Sequence, residues 1–268
     1  MTDDRERWAL ILGGSSGMGE ATALALAKAG YNIAGIHLDF RAALAHVEEV
    51  KAAIEAEGVQ ALYINMNAAD DEKRAAALAT LRERFDASEV AGRHPYVRVV
   101  MHSLAFGSLR PLAGAEQVAN RKQIESTVDA MGHSLVYWVQ DCLRAGLFDW
   151  GGRIFAMTSA GGAKAVPNYG PVGAAKASLE AHVRQLAMEL APAGITANAI
   201  LAGVTDTPAL RLIPGHEEIV KLARQRNPHR RLTLPEDVAR CIAALCHPAT
   251  YWMTGNTLHV DGGENIVG

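Results

Sequence analysis

The chain has 268 residues, of which 49% are hydrophobic and 21% charged, which is the composition of an ordinary globular protein. Its formal net charge of −3 and its pI of about 6.4 exclude a strongly basic surface of the kind that binds nucleic acid or an anionic membrane. No apolar run reaches the roughly 18 residues that a membrane-spanning helix needs, so no membrane partner is expected either.

The N-terminal residues, the cysteines and the histidines bear on the compartment of the protein and on metal binding. The N-terminal residues are polar and acidic, unlike a signal peptide. The cysteines, Cys142, Cys241 and Cys246, form no Cys-x-x-Cys pair, and their odd number favours free thiols. The histidines form no His-Glu-x-x-His motif and no cluster with cysteine, so no metal site is predicted. We therefore expect a soluble, reduced, cytoplasmic protein.

The first predicted element is a short buried strand over 8–12, followed by a glycine-rich turn and a helix over 20–29. Backbone N–H groups at the start of such a helix bind pyrophosphate. Gly13 permits the tight turn, Gly17 lets the backbone approach the phosphates, and Gly19 allows close packing of helix on strand. The turn therefore predicts a dinucleotide site, with contacts assigned to Gly13, Ser15, Ser16, Gly17 and Met18.

A second strand is predicted over 31–38, and Asp39 and Arg41 follow it. A carboxylate at this strand end accepts hydrogen bonds from the adenosine ribose, whereas a cation meets a 2′-phosphate. The two residues therefore favour different cofactors, and they are also compatible with a solvated loop pair. Because Asp39 comes first after the strand, we expect NADH rather than NADPH.

The middle of the chain continues the alternation, with helices over 41–57 and 71–85 and strands over 61–66 and 96–102. The ends of these two strands are expected to lie along the cofactor, the first of them at the adenine edge. The residues assigned to these contacts are Asn67, Ala68, Ser103, Leu104 and Ala105.

The second half of the chain is predicted to hold strands over 152–158, 195–201 and 256–260 and helices over 120–145, 171–191 and 235–246. Gly203, Thr205 and Thr207 follow the sixth strand. Residues 205–227 are predicted to form a helical flap that covers the substrate.

The alternation of strands and helices runs through the chain without a linker or a repeat. It predicts an α/β fold in which residues 1–268 form a single doubly wound, Rossmann-type domain, with a parallel sheet of about seven strands and helices on both faces. Ligands of such sheets bind in the crevice beyond the carboxyl ends of the strands. The loops assigned above all follow strands and therefore lie at that edge.

Tyr169 and Lys176 stand seven residues apart at the start of the helix that follows the fifth strand. Pro171 suits the first helical position, and seven residues at about 100° each return to nearly the same helix face. A fixed positive charge lowers the pKa of a nearby phenol, which can then give a proton or a strong hydrogen bond to a substrate oxygen. The alternative is a packed tyrosine beside a solvated lysine.

Together these pieces resemble the short-chain dehydrogenase/reductase family over nearly the whole chain. The matching motifs are Gly13-x3-Gly17-x-Gly19, Ser159, the Tyr169/Lys176 helix, Ala202-Gly203-x3-Thr207 and Val260-Asp261-Gly262-Gly263. In the common branch of the family the tyrosine stands four residues before the lysine, where this chain has Val172. The spacing of Tyr169 and Lys176, and the run from His102 to Phe106, resemble the divergent branch that holds the enoyl-acyl-carrier-protein reductases of fatty-acid synthesis.

The resemblance implies that NAD(P)H reduces a trans-2-enoyl thioester, carried on acyl carrier protein or CoA, by hydride transfer to the β carbon. Tyr169 would stabilise the enolate oxygen, an effect worth roughly 3–4 kcal/mol in comparable sites. Lys176 would hold the nicotinamide ribose, and Thr205 and Thr207 would bond the nicotinamide carboxamide, with simple helix capping as the alternative for the threonines. Ser159 stands where many enoyl reductases carry a second aromatic residue. It would bond the substrate or the tyrosine, or else only cap a turn. The family usually forms tetramers, so a homotetramer is expected.

Two other functions stay open at this point. The first is a carbonyl or alcohol oxidoreductase of the same family, in which Tyr169 would protonate an alkoxide. The second is a dinucleotide sensor without catalysis, against which the intact Tyr169 and Lys176 argue. His102, beside the predicted cofactor site, is expected to be a structural residue, because a lone histidine at a strand end is more often hydrogen-bonded than catalytic.

Overall fold

The computed structural model describes residues 5–267; the first four residues of the polar N-terminal stretch and Gly268 lie outside that range. A parallel sheet of seven strands lies at the centre, in the order β3-β2-β1-β4-β5-β6-β7. The strands are β1 (Arg7–Leu12), β2 (Asn32–His37), β3 (Ala61–Asn65), β4 (Tyr96–His102), β5 (Phe148–Thr158), β6 (Thr196–Ala202) and β7 (Thr257–Val260).

Helices connect the strands and cover the sheet. They are α1 (Gly17–Lys28), α2 (Leu44–Glu55), α3 (Asp71–Val90), α4 (Arg121–Val128), α5 (Ser134–Arg144), α6 (Gly170–Leu190), α7 (Pro208–Arg211), α8 (His216–Arg226) and α9 (Pro235–Leu245). Within residues 5–267, no helix has the length and apolar character to cross a membrane.

Both faces of the sheet are buried, as alternate residues of β1 demonstrate. Trp8, Leu10 and Leu12 pack into one apolar core, and Ala9 and Ile11 pack into another on the opposite face. A strand with two buried faces has a continuous apolar sequence, which is why β1 was recognisable. The strand order reverses between β1 and β4, and ligands of doubly wound sheets bind beyond the strand ends at such a point. The predicted fold class is confirmed.

Two predicted helices are interrupted. The region predicted as one helix over 120–145 contains a turn of π-helix, Asp129–His133, between α4 and α5. The flap predicted as helical over 205–227 consists of α7 and α8. The break between them passes through Gly215, the N-cap of α8, whose φ of 79° is left-handed. This conformation interrupts a helical backbone, and glycine adopts it without steric cost.

Candidate active site

The turn after β1 is shaped by close backbone contacts. Gly13 has a φ of 85°, and a Cβ on it would lie 2.5 Å from the carbonyl oxygen of Ser103. A Cβ on Gly19 would overlap the carbonyl oxygen of Gly13. α1 begins at Gly17, and its first N–H groups donate no hydrogen bond to the side chain of Ser16. A crowded turn that leaves helix N–H groups without a side-chain cap fits a bound pyrophosphate.

The other residues assigned to this turn differ in exposure. Ser15 is buried and Ser16 is exposed. Met18 turns towards the neighbouring cavity and lines it. The turn therefore connects the expected phosphate site with the cavity described below.

The end of β2 holds Asp39 in a fixed position. Its carboxylate lies 2.8 Å from Nδ1 of His37. Its backbone exchanges two hydrogen bonds with the side chain of Asn65, at 3.1 Å and 2.8 Å. Arg41, in contrast, is exposed in the short turn that precedes α2. The carboxylate is thus the more firmly placed of the two competing groups.

The end of β3 carries the residues expected at the adenine edge. Asn67 is exposed, and its side-chain oxygen accepts a hydrogen bond from the backbone N–H of Ala69 at 3.0 Å. Ala68 is buried, and its carbonyl accepts a hydrogen bond from Nε1 of Trp138 at 2.8 Å. Both residues are accordingly tied into the local structure at the edge of the sheet.

A cavity of about 410 Å³ with mainly apolar walls lies beyond the carboxyl ends of β4, β5 and β6. Side chains from 209–219 form part of its wall. It brings together nine of the residues assigned from the sequence besides Met18, namely Ser103, Leu104, Ala105, Ser159, Tyr169, Lys176, Gly203, Thr205 and Thr207. The assigned residues at the ends of β2 and β3 do not line it, because they lie farther along the sheet edge.

Tyr169 is the residue immediately before α6, and its hydroxyl lies 3.3 Å from Oγ of Ser159. Burial raises the pKa of the phenol, an effect that the hydrogen bond with Ser159 opposes. The expectation that a lysine charge lowers this pKa was therefore wrong: removing the phenol from water disfavours the phenolate more strongly. The helix also begins at Gly170, one residue before the predicted start, and Tyr169 occupies its N-cap.

Lys176 is buried, with 4% of its surface exposed. Its ammonium donates hydrogen bonds to the carbonyl oxygens of Met157 at 2.7 Å and Leu104 at 3.3 Å. Burial lowers its pKa to about 8, although Glu180 acts in the opposite direction. This burial excludes the alternative of a solvated surface lysine. The two hydrogen bonds offset the cost of burying the ammonium group.

His102 is completely buried at the end of β4. Burial, together with the charge of Lys176, lowers its pKa to about 3, so the ring is neutral. Ser134 donates its hydroxyl to the carbonyl oxygen of Ala130, and its oxygen is therefore free to accept a hydrogen bond from Nε2 of His102 at 2.9 Å. His102 is therefore hydrogen-bonded at the strand end, as expected, and its purely structural role stays a prediction.

Glu264 and Asn265 line the same cavity from the C-terminal segment, although neither was assigned to the site from the sequence. Both carboxylate oxygens of Glu264 lie 3.2–3.3 Å from the backbone nitrogen of Val204. No motif marks this residue beyond its position after Gly262-Gly263. Among residues 5–267, no group of three or more His, Cys, Asp or Glu side chains is arranged to hold a metal.

Known proteins resemble this chain in sequence and in fold. The sequence profile of the family described as Enoyl-(Acyl carrier protein) reductase matches residues 13–265. The 1-cyclohexenylcarbonyl-CoA reductase of Streptomyces collinus is 30% identical over 268 residues, which is 99% of this chain and 89% of that protein. The solved structure of the NADH-dependent enoyl-acyl-carrier-protein reductase from Aquifex aeolicus VF5 matches with a TM-score of 0.82 at 25% identity, covering 99% of this chain and 98% of that one.

A third relative matches a shorter region. The NADPH-dependent enoyl-acyl-carrier-protein reductase FabI of Staphylococcus aureus (strain MRSA252) is 35% identical over 168 residues, which is 63% of this chain. The matched region spans 65% of the length of that relative.

Proposed function

Since the chain belongs to the Enoyl-(Acyl carrier protein) reductase family of short-chain dehydrogenases/reductases, we propose that it uses NAD(P)H to reduce the carbon–carbon double bond of a 2-enoyl thioester. The thioester is carried on acyl carrier protein or CoA. The observation that most supports this function is the position of the Tyr169 hydroxyl, which lies beside Ser159 in a mainly apolar cavity. The buried Lys176 lines the same cavity, about two helical turns farther along α6.

The cofactor would lie along the carboxyl edge of the sheet. Gly13 and Gly17 would admit its pyrophosphate, and Asp39 would accept hydrogen bonds from the adenosine ribose. Lys176 would bind the nicotinamide ribose, and Thr205 and Thr207 would bond the carboxamide. When bound, the cofactor supplies the hydride that reaches the β carbon of the substrate.

Tyr169 acts as a neutral hydrogen-bond donor in this proposal. Its raised pKa keeps the phenol protonated at neutral pH, so the hydroxyl can donate to the thioester oxygen while negative charge develops there. Ser159, 3.3 Å away, restricts where that hydroxyl lies. A donor preorganised in this way stabilises the enolate without reorientation during the reaction.

The apolar wall excludes water from the reacting atoms. Leu210, Leu212 and Ile213 approach the cavity from α7 and the turn that follows it, and Ile219 does so from α8. We propose that residues 205–227 act as a flap that closes over the acyl chain, because closure of such segments strengthens the electrostatic interactions inside a site.

For the cofactor we propose a preference for NADH. Asp39 is held by His37 and Asn65, and a fixed carboxylate repels a 2′-phosphate. Arg41 is exposed and free to turn into solvent. Comparison of the apparent affinities for NADH and NADPH tests this preference, and a marked preference for NADPH would contradict it.

A panel of thioesters tests the proposed reaction. We expect oxidation of NADH with crotonyl-CoA or a longer 2-enoyl thioester, and the saturated thioester as product. Turnover of a 3-oxoacyl thioester without any turnover of the 2-enoyl substrates would assign the site to carbonyl reduction instead. Light scattering on the same preparation tests the expected homotetramer.

A further inference from the structure

Glu264 is the one carboxylate among the cavity-lining residues of the described chain. It begins the short turn Glu264–Ile266 after β7, and its oxygens lie 3.2 and 3.3 Å from the backbone nitrogen of Val204. Burial raises the pKa of its carboxyl group, while the hydrogen bond from Val204 opposes this shift. An acid in a mainly apolar wall calls for an explanation, because burying it is unfavourable without such a partner.

The turn that carries Glu264 is fixed by Asp261. The buried carboxylate of Asp261 accepts hydrogen bonds from the backbone N–H of Gly263 at 2.9 Å and of Asn265 at 3.0 Å. It also accepts one from the side-chain amide of Asn265 at 2.9 Å. The backbone on both sides of Glu264 is therefore restrained, and its side chain is directed at the loop after β6.

That loop is held from two sides at Val204. The N–H of Val204 donates to the carboxylate of Glu264, and the carbonyl oxygen of Val204 accepts a hydrogen bond from the N–H of Thr233 at 3.2 Å. There is no room for a side chain on the preceding Gly203, since a Cβ would lie 3.0 Å from Oε2 of Glu264 and overlap Oγ1 of Thr233. The contact thus belongs to a closely packed junction.

The loop connects this junction with the proposed cofactor site. Thr205 donates its hydroxyl to the carbonyl oxygen of Gly203 at 3.0 Å. Thr207 accepts a hydrogen bond from Leu210 at the start of α7. The methyl group of Thr207 would lie 3.3 Å from a Cβ on Gly17, in the glycine turn. A shift of Val204 would therefore move both threonines relative to the cavity and the turn.

We propose that Glu264 is a positioning residue for the nicotinamide end of the cofactor. By binding the N–H of Val204, it fixes the loop in which Thr205 and Thr207 stand. The adenosine end depends on β2 and the glycine turn, and the interactions of Glu264 within residues 5–267 are with other parts of the chain. The inference rests on the proposed dinucleotide site, but it does not depend on which thioester is reduced.

Two ligands distinguish this role from general support of the fold. NADH reaches the nicotinamide end, whereas ADP-ribose contains only the adenosine diphosphate part and the adjoining ribose. Dissociation constants for both are measured by calorimetry without any thioester, so a failure of the enoyl-reductase proposal leaves the test intact. The variants are Glu264→Leu, which removes the acceptor, and Glu264→Gln, which retains a carbonyl acceptor. Glu89→Ala on the exposed surface of α3 is the control.

For Glu264→Leu we expect about tenfold weaker NADH binding, because one hydrogen bond to a charged group is lost. The affinity for ADP-ribose should stay within about twofold of that of the unmodified protein. Glu264→Gln should restore most of the NADH affinity. Unchanged NADH binding by Glu264→Leu, an equal loss for both ligands, or a Gln variant as weak as the Leu variant would overturn the proposal. If Glu264→Leu does not fold, Glu264→Ala removes the acceptor without adding apolar volume and is judged by the same outcomes.

Discussion

The turn that follows β1 and the cavity beyond β5 and β6 meet at one edge of the sheet, but different forces shape them. The turn is shaped by the absence of side chains: Gly19 packs so closely on Gly13 that a Cβ has no space. The cavity depends on polar side chains that are removed from water, among them the half-buried Tyr169 and the buried Lys176, each held by a specific partner. We therefore expect substitutions in the turn to damage fold and cofactor binding together, and substitutions in the cavity to separate binding from chemistry.

The largest effect is expected from Gly19→Ala. Its Cβ would overlap the carbonyl oxygen of Gly13, and overpacking of this kind costs roughly 3 kcal/mol of the free energy of unfolding, or more when backbone atoms collide. Thermal unfolding and NADH binding should both show the loss. Gly58→Ala is the control for steric overlap: no atom lies within 4 Å of its Cβ position, and its positive φ costs roughly 1–2 kcal/mol. Equal stability of the two variants would contradict the role given to close packing.

Tyr169→Phe should give the next largest effect, and it should separate binding from chemistry. Removal of one oxyanion donor lowers kcat by about 10²–10³-fold in comparable sites, while calorimetry should find NADH affinity nearly unchanged. Tyr251→Phe is the control, because Tyr251 stacks on Trp150 away from the cavity. A Tyr169→Phe protein with normal turnover would remove the tyrosine from the mechanism.

Lys176 predicts a pH dependence of stability in the cofactor-free protein. Its pKa is about 8 in the fold and 10.5 as the ordinary value. Below pH 8 both states carry the proton, and the folded state bears the full cost of the buried charge. Between pH 8 and 10.5 the folded state releases the proton and the unfolded state keeps it, so the free energy of unfolding rises with pH, by ~3 kcal/mol in total.

Denaturant titrations at several pH values measure this rise against Lys176→Met, which has no group to titrate at that position. The difference in stability, unmodified protein minus variant, should increase as the pH is raised from 8 towards 10. A flat difference, or one that falls with pH, would contradict the buried and desolvated lysine.

The smallest effect concerns Asp39, which His37 and Asn65 hold at the end of β2, outside the cavity. Asp39→Asn keeps the backbone bonds to Asn65 but removes the negative charge, so kcat/KM for NADPH relative to NADH should rise about tenfold. Steady-state kinetics with both cofactors measure the ratio. Asp86→Asn, on the exposed face of α3, should leave it unchanged, and an unchanged ratio for Asp39→Asn as well would assign cofactor choice to other residues.

The contrast between the two regions also explains how much could be predicted from the sequence. Strands with two buried faces give continuous apolar runs, and β4 (Tyr96–His102) lies where it was expected. The glycine turn was recognisable because close approach requires glycine at set positions. β5 begins at Phe148, four residues earlier than expected, because a register shift of its pairing with β4 accommodates extra residues that follow no alternating pattern.

The cavity was less predictable, because its properties arise from tertiary packing. The spacing of Tyr169 and Lys176 placed both in one site, but the direction of the tyrosine's pKa shift depends on burial, which a local pattern does not contain. Glu264 lies 60 residues from Val204 in the chain, and only the folded sheet brings them together. The π-helical turn Asp129–His133 likewise has no signal in the periodicity of its residues.

The most direct test of the proposed reaction follows the hydride itself. The protein is incubated with a 2-enoyl thioester and NADH that carries deuterium at the transferable position of the nicotinamide, and the product is examined by mass spectrometry and NMR. We predict a saturated thioester with one deuterium on the β carbon. A product without deuterium, or with deuterium on an oxygen-bearing carbon, would contradict reduction of the carbon–carbon double bond.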